Sequence, residues 1–446
     1  MTNKKTFHIT TFGCQMNEHD SEIMAGLLLE KGYEKAKSRD EANIVIFNTC
    51  SIRENADKRF FGTVGTLKKR KEAERENFTI CVCGCMMQQQ HIVDTIKQKF
   101  PWIDVVYGTH NLHELPNLLD KLHTQKRVRE VWPDGREIVE GLPAERLFKH
   151  KSFVNIMYGC NNFCSYCIVP YTRGRERSRR PEDIVAEVTR LVEDGVKEVT
   201  LLGQNVNSYK GCGQNGQADF TDLIYMLADI EGLERIRFMT SHPKDLSDKL
   251  IDAFKNCDKL CKYVHLPVQA GSSKVLKEMN RKYTREHYLE LVRKLREAVP
   301  QITISTDIIV GFPGETEEEF EETLTLAEEV EYDSAFTFLY SVREGTPAAK
   351  REDQVPEDEK HARFNRLVDS INTTSAKKNA EYVGRIERVL VDGASRSKEG
   401  TYEGRTDGFK LVNFTSDKSP EQLMGRKVMV EITECKTFSL EGREVE

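Results

Sequence analysis

The sequence predicts an α/β protein in three successive parts: a doubly wound α/β domain, a partial (β/α)6 barrel of the TIM type, and a small OB-like β-barrel. Three observations predict it. Short apolar runs alternate with helix-length amphipathic stretches up to about residue 122, and do so again in six units from about 153 to 375. Beyond about residue 380 the helical period disappears, and short strands follow one another between Gly, Ser and Asp. A chain of 446 residues has room for roughly two to four domains.

In the first part, residues 1–123, Phe7–Thr11, Ile44–Asn48, Phe78–Cys83 and Val105–Tyr107 read as strands. Asp20–Lys31, Glu54–Glu74 and His91–Lys99 read as the helices between them. Residues 124–150 are charged and carry Pro133, Gly135, Gly141 and Pro143, the composition of a linker. In the second part, residues 151–375, strands are expected at Phe153–Met157, Val199–Gly203, Arg235–Met239, Tyr263–Leu266, Ile302–Val310 and Ala335–Leu339. Helices are expected at Pro181–Asp194, Phe220–Asp229, Ser247–Lys255, Thr284–Ala298 and Thr316–Glu329, with Pro181 in a first turn, where its missing N–H is harmless. Chemistry in such a barrel lies at the C-terminal ends of its strands. Pro356–Lys378 reads as an amphipathic connecting helix. In the third part, residues 376–446, Arg385–Val391, Thr401–Arg405, Lys410–Phe414 and Lys427–Thr433 read as strands of a five-stranded barrel. Such barrels commonly bind nucleic acid, and a purely structural β-domain is the alternative.

Sixty-six basic against 72 acidic residues give a formal charge of −6, so any RNA site has to be a local patch. No stretch is apolar for long enough to cross a bilayer. The N-terminus enters a strand-like alternation at once and lacks a secretory apolar region, which points to the cytoplasm. Cysteines there serve metals or catalysis more often than disulfides, and this chain has 12.

Cys160, Cys164 and Cys167 stand together in the run GCNNFCSYC. Three thiolates so close can wrap one corner of an iron–sulfur cube, which four cysteines normally hold. One iron is then left open to a substrate or cofactor. A zinc site is the alternative, but structural zinc usually takes four ligands in paired spacing, and no second pair is near. The first part holds another trio. Cys14, Cys50 and Cys85 are far apart in sequence, yet each falls just beyond an expected strand. In a parallel sheet those strand ends share one edge, so the three can converge. Any cysteine of the CVCGC run could be the third member; alternation puts Cys81 and Cys83 on one face, and Cys85 is best placed to leave the edge. Buried cysteines acting as small hydrophobes are the alternative.

The motifs TFGCQMN, NTCSIRENA, GCMMQ, YGCNNFCSYCIVPYTRGRERSR, LPVQAGS and TDIIVGFPGET together resemble the radical S-adenosylmethionine (SAM) methylthiotransferase family. The resemblance covers essentially the whole chain, with an N-terminal methylthiotransferase domain, a radical SAM barrel and a C-terminal TRAM domain. CQMN and VPYTRG resemble the branch that methylthiolates C2 of N6-isopentenyladenosine beside the anticodon of tRNA. The other branches modify threonylcarbamoyl-adenosine in tRNA or an aspartate of a ribosomal protein. The resemblance implies a [4Fe–4S] cluster on Cys160, Cys164 and Cys167 and a second on Cys14, Cys50 and Cys85. The chain departs from the family pattern in having cysteine at 81 and 83, expected to be buried, and Met87 where relatives have alanine.

The resemblance also implies two SAM molecules per turnover, one as methyl donor and one as radical source. It further implies an electron donor such as flavodoxin or ferredoxin, a supplier of sulfur or clusters, a tRNA anticodon stem-loop as substrate, and no membrane. Candidate SAM contacts are Tyr166, Gly203, Gln204, Asn205, Ser241, Gln269 and Asp307, all near the expected barrel mouth, where packing or a satisfied loop is the alternative for each. For RNA, Arg173, Arg175 and Arg177 lead a basic run that also holds Arg179 and Arg180, and arginine pairs well with phosphate. A solvated loop is the ordinary reading of that run. Arg405, Phe409 and Lys410 interleave charge with a ring, as single-stranded RNA binders do. The target base has to be unstacked to reach the chemistry.

Overall fold

Parallel pairing dominates the computed structural model, which describes residues 5–52, 54–135, 138–214, 216–395 and 400–445. The chain forms two units. One holds residues up to Leu147 with Met157–Phe163 and Cys167–Arg179; the other holds Phe148–Ile156, Cys164–Tyr166 and everything from Arg180 onward.

The first unit is built on strands β1 (Thr6–Thr11), β2 (Glu34–Lys35), β3 (Ile44–Thr49), β4 (Thr79–Gly84), β5 (Val105–Tyr107) and β6 (Val128–Glu130). All pairs are parallel, in the order β2-β1-β3-β4-β5-β6. Alternation along β4 divides the two faces. Cys81 and Cys83 pack with Phe7, Met24, Leu28 and Tyr107 on one side; Ile80 and Val82 pack with Phe47, Phe60 and Val64 on the other. Helix α1 (Gln15–Glu30) and Leu115–Lys121 cover the first face, Glu54–Thr66 and Gln90–Lys99 the second, which is the doubly wound arrangement. Two departures from expectation have local causes. α1 starts at Gln15 rather than Asp20, because its polar first turn is buried at the sheet edge. The stretch expected as a linker supplies the edge strand β6, too short for any periodicity to reveal. Its far end lies on α1, with the Glu145 N–H donating to the Glu22 carbonyl at 2.9 Å.

In the second unit, β7 (Lys151–Asn155), β8 (Glu198–Leu202), β9 (Arg235–Phe238), β10 (Tyr263–His265), β11 (Thr303–Val310) and β12 (Ser334–Leu339) form two parallel three-stranded sheets. A parallel bridge between Ile236 and Leu260 links them, so the six strands follow one another in chain order. No pairing joins β7 to β12 among the described residues, and the barrel is partial, as expected. The GFPGET run is a turn and a cap: Thr316 and Glu319 form a capping box, and the buried Glu315 carboxylate accepts the Gly311 N–H at 2.7 Å.

Strands β13 (Ile386–Ala394), β14 (Thr401–Arg405), β15 (Leu411–Thr415), β16 (Lys427–Cys435) and β17 (Leu440–Val445) close a barrel around Val391, Tyr402, Phe414 and Ile432. β17 carries little apolar pattern, yet it closes the barrel by pairing parallel to β15 and antiparallel to β16.

Two buried arginines of β9 join this β-domain to the partial barrel. Arg237 donates to Glu198 at 3.0 Å and to the carbonyls of Asp407 and Thr406 at 3.0 and 2.7 Å. Arg235 pairs with Asp407 at 2.7 Å. Phe409 packs on Tyr263, with ring centroids 4.8 Å apart. Of the three residues expected to face RNA, Lys410 is buried, while Arg405 and Phe409 stay partly exposed. The Arg405 guanidinium lies 4.3 Å over the Phe409 ring, and buried Lys410 pairs with Asp333 at 2.9 Å. Charge beside a ring reads the same in sequence whether it meets RNA or a neighbouring domain. Arg237→Ala is expected to cost ~3 kcal/mol, the low end for a broken buried pair, because the Thr406 and Asp407 carbonyls lose their donor while Glu198 keeps Arg235 at 3.6 Å. Urea unfolding measures the loss, and proteolytic release of the residues after Ala380 shows where it falls.

Candidate metal centres and cofactor site

Cys14, Cys50 and Cys85 follow β1, β3 and β4, three adjacent strands whose C-terminal ends share an edge. Two glycines allow the close approach. Gly13 has φ +123°, and a Cβ there would lie 2.8 Å from the Cys50 Cβ. Gly84 has φ +94°, and a Cβ there would lie 2.3 Å from the Thr49 carbonyl oxygen. Asn17, fully buried on α1, ties the ends together: its Nδ2 donates to the carbonyls of Phe12 and Thr49 at 2.9 and 2.8 Å. Its Oδ1 lies 3.8 Å from the Cys14 sulfur and 3.9 Å from the Cys85 sulfur.

Arg173 completes this arrangement. Its Nε donates to the Cys85 sulfur at 3.2 Å, and its Nη2 donates to Asn17 Oδ1 at 2.9 Å and Asp20 Oδ2 at 2.7 Å. The side chain is 5 % exposed, so its expected place on an RNA-facing patch is corrected: the charge is held inside by Asp20 and the sulfur. Burial pushes the Cys85 thiol up to about 11, against the pull of Arg173. Burial also raises Cys81 and Cys83, and both sit within the apolar core as expected.

No group of three or more His, Cys, Asp or Glu side chains among the described residues is arranged to hold a lone metal ion. A cubane makes a different demand, since each of its sulfur ligands serves a separate iron. Two thiols beside one buried amide, a third at the same sheet edge next to Gly13, and a cation beside one sulfur are the donor set and charge that such a cluster takes.

Of the second trio, Cys160 and Cys167 belong to the first unit and Cys164 to the second. The Cys160 N–H donates to the Gly174 carbonyl at 3.1 Å. Arg175 is exposed and stacks over Phe163 at 4.3 Å, while Arg177 lies 5.8 Å from the Tyr158 ring. In the second unit, Arg281 donates to the buried Cys164 sulfur at 3.5 Å and to the Pro267 carbonyl at 2.8 Å. Ser165 is bound to the backbone of Glu278 and Met279, which holds Cys164–Tyr166 against the C-terminal end of the helix Ser273–Glu278.

Of the expected SAM contacts of the second unit, Gly203, Gln204, Asn205, Ser241 and Gln269 lie beyond strand ends and Asp307 lies within β11. Gly203, Gln204 and Asn205 follow β8, and the Gly203 carbonyl accepts from Thr240 at 2.6 Å. Asn205 donates to Asp245 at 2.8 Å, while its buried Oδ1 meets no donor among the described residues. Ser241 donates to the His265 carbonyl. Gln269, at φ +72°, is held by the Asp307 carbonyl at 2.8 Å, and the Asp307 carboxylate lies 3.4 Å from His265 Nε2. Tyr166 is half-buried beside Arg281.

Family comparison accounts for most of the chain. The radical SAM superfamily model matches residues 154–327, the family described as uncharacterized protein family UPF0004 matches 6–108, and the TRAM domain matches 380–445. The chain is 54 % identical to the tRNA-2-methylthio-N(6)-dimethylallyladenosine synthase of Alkaliphilus oremlandii over 443 residues, 99 % of this chain and 93 % of that one. It is 55 % identical to proteins of the same name from Clostridium botulinum, over 98 % of this chain and 97 % of that one, and Clostridium perfringens, over 99 % and 98 %. The chain belongs to the radical SAM methylthiotransferase family.

Membership of the radical SAM superfamily carries with it SAM and a [4Fe–4S] cluster. Among solved structures, the radical SAM methyltransferase TsrM of Kitasatospora setae matches with TM-score 0.55 at 14 % identity, over 78 % of this chain and 75 % of that one. The cobalamin-dependent enzyme OxsB matches with TM-score 0.52 at 11 % identity, over 83 % and 56 %. Both are likenesses of fold. No helix among the described residues is long and apolar enough to cross a membrane. Sequence reasoning missed Asn17, Asp20 and Arg281 as partners of the cysteine sites. Asn17 and Asp20 stand just beyond Cys14, where the buried first turn of α1 was not recognised; Arg281 carries no local signal.

Proposed function

We propose that the protein is a tRNA methylthiotransferase, adding a methylthio group to C2 of N6-isopentenyladenosine next to the anticodon. The observation that carries this reading is 54 % identity over 99 % of the chain to a protein named for that product. Its working parts are residues 1–123, with the second cluster, 151–375, the radical SAM barrel, and 376–446, the TRAM domain. Cys160, Cys164 and Cys167 hold one [4Fe–4S] cluster, and Cys14, Cys50 and Cys85 hold another. When bound, these clusters and SAM supply the radical and sulfur chemistry that an unactivated C2–H bond requires.

The protein's own groups bind and orient. Arg281 fixes Cys164, and Tyr166, Gly203, Gln204, Asn205, Ser241, Gln269 and Asp307 offer the barrel mouth polar atoms and close backbone for SAM. Arg175 and Arg177 are retained as phosphate contacts for the anticodon stem-loop. The reaction takes two SAM molecules, an electron donor such as flavodoxin or ferredoxin, and a sulfur or cluster supplier, and takes place in the cytoplasm. Nucleoside mass spectrometry of tRNA from cells lacking the protein tests this reading. The methylthio mark disappears while the isopentenyl group remains; a persistent methylthio mark overturns it, and loss of one from threonylcarbamoyl-adenosine or a ribosomal protein reassigns the branch.

A further inference from the structure

A buried ion pair adds little stability over an apolar pair of the same size. The Arg173–Asp20 pair is 5 % and 3 % exposed, and the guanidinium meets Cys85, Asn17 and Asp20 at the cysteine edge of the first sheet. Nε faces the Cys85 sulfur at 3.2 Å. Nη2 is shared between Asp20 and Asn17, whose Oδ1 in turn faces the sulfurs of Cys14 and Cys85. Asp20 has its second oxygen, Oδ1, buried with no donor among the described residues, so Arg173 alone offsets its charge there. One cation, at the C-cap of the helix Val169–Thr172, and one anion, on α1, thereby stand beside the thiols.

We infer that Arg173 and Asp20 set the reduction potential of the cluster on Cys14, Cys50 and Cys85. Arg173 raises it by donating an N–H to the Cys85 sulfur, and Asp20 limits that rise by opposing the charge. This rests on the reading of that trio as cluster ligands. The physical basis is general: an N–H donated to a ligand sulfur, or a nearby positive charge, favours the more negative, reduced cluster, and a nearby anion disfavours it. Both residues are positioning groups, since each acts through Cys85 or its surroundings. Arginine suits the place because its planar fork serves sulfur, amide and carboxylate at once, which a lysine ammonium does not.

The test uses the full chain with Cys160→Ala, Cys164→Ala and Cys167→Ala together, reconstituted without oxygen from ferrous iron and sulfide. The only cluster left to it is that of the other trio. Iron content is measured first, and a redox titration followed by electron paramagnetic resonance then gives the potential. Arg173→Gln is expected to lower the potential and Asp20→Asn to raise it. A purely structural role gives no such opposed pair, so unchanged potentials, or shifts of the same sign, overturn the inference. Where Arg173→Gln fails to retain iron, Asp20→Asn alone decides, a raised potential supporting the inference and an unraised one ending it. A parent protein that takes up no iron refutes the cluster reading instead, and iron content makes the two failures distinguishable.

Discussion

Replacing Cys164 with alanine is expected to abolish formation of 5′-deoxyadenosine and to lower iron from about eight to about four atoms per chain. Cys164 is the middle member of its trio, and a cluster gripped by two cysteines where three are needed is not retained. The change removes the sulfur that Arg281 meets at 3.5 Å, while the other Arg281 bonds, to the Pro267 carbonyl and the Tyr283 hydroxyl, hold the side chain in place. Folding therefore survives. Chromatography of a reduced reaction with SAM reads the product, and a colorimetric iron assay reads the cluster. Undiminished 5′-deoxyadenosine would place the radical source elsewhere.

Cys50→Ala separates the two centres. It is expected to leave much of the SAM cleavage, stop methylthiolation of tRNA, and also lower iron from about eight to about four atoms per chain. The substitution is mild for the fold: Cys50 is 1 % exposed, and its Cβ, the atom that Gly13 packs against, is retained in alanine. What it removes is the sulfur. Measuring 5′-deoxyadenosine and methylthiolated nucleoside in the same reaction checks the division of labour. If both products persist in equal measure, the trio at the sheet edge does not supply the sulfur step.

The legibility of this chain follows the range of the interactions concerned. Cys81, Val82 and Cys83 show it at the shortest range, since the period of two along β4 sends the cysteines to one core face and the valine to the other. Cys14, Cys50 and Cys85 show it at one remove: strand ends of a parallel sheet must share an edge, so topology alone brings them together. Arg173 was misjudged because its run of arginines looks like any phosphate-binding loop. Its partner Cys85 stands 88 residues away, and nothing local distinguishes a buried guanidinium from a solvated one. Lys410 is hidden for the same reason, its partner Asp333 belonging to the partial barrel, as do Tyr263 and Arg237, which meet the Phe409 ring.

By itself, then, the sequence left out the short strands β2 and β6 and the closing strand β17 but determined most of the strands and helices, the two cysteine trios and the family. Each of these is written in local periodicity, in short spacing or in long contiguous motifs. Only the tertiary structure decided which charges are exposed and which are buried. Arg173 joins Asp20 and Cys85 inside the first unit, and Arg235 and Arg237 join the β-domain to the partial barrel in the second. A charged side chain's role depends on what lies across from it, and that is set by packing between segments far apart in the chain.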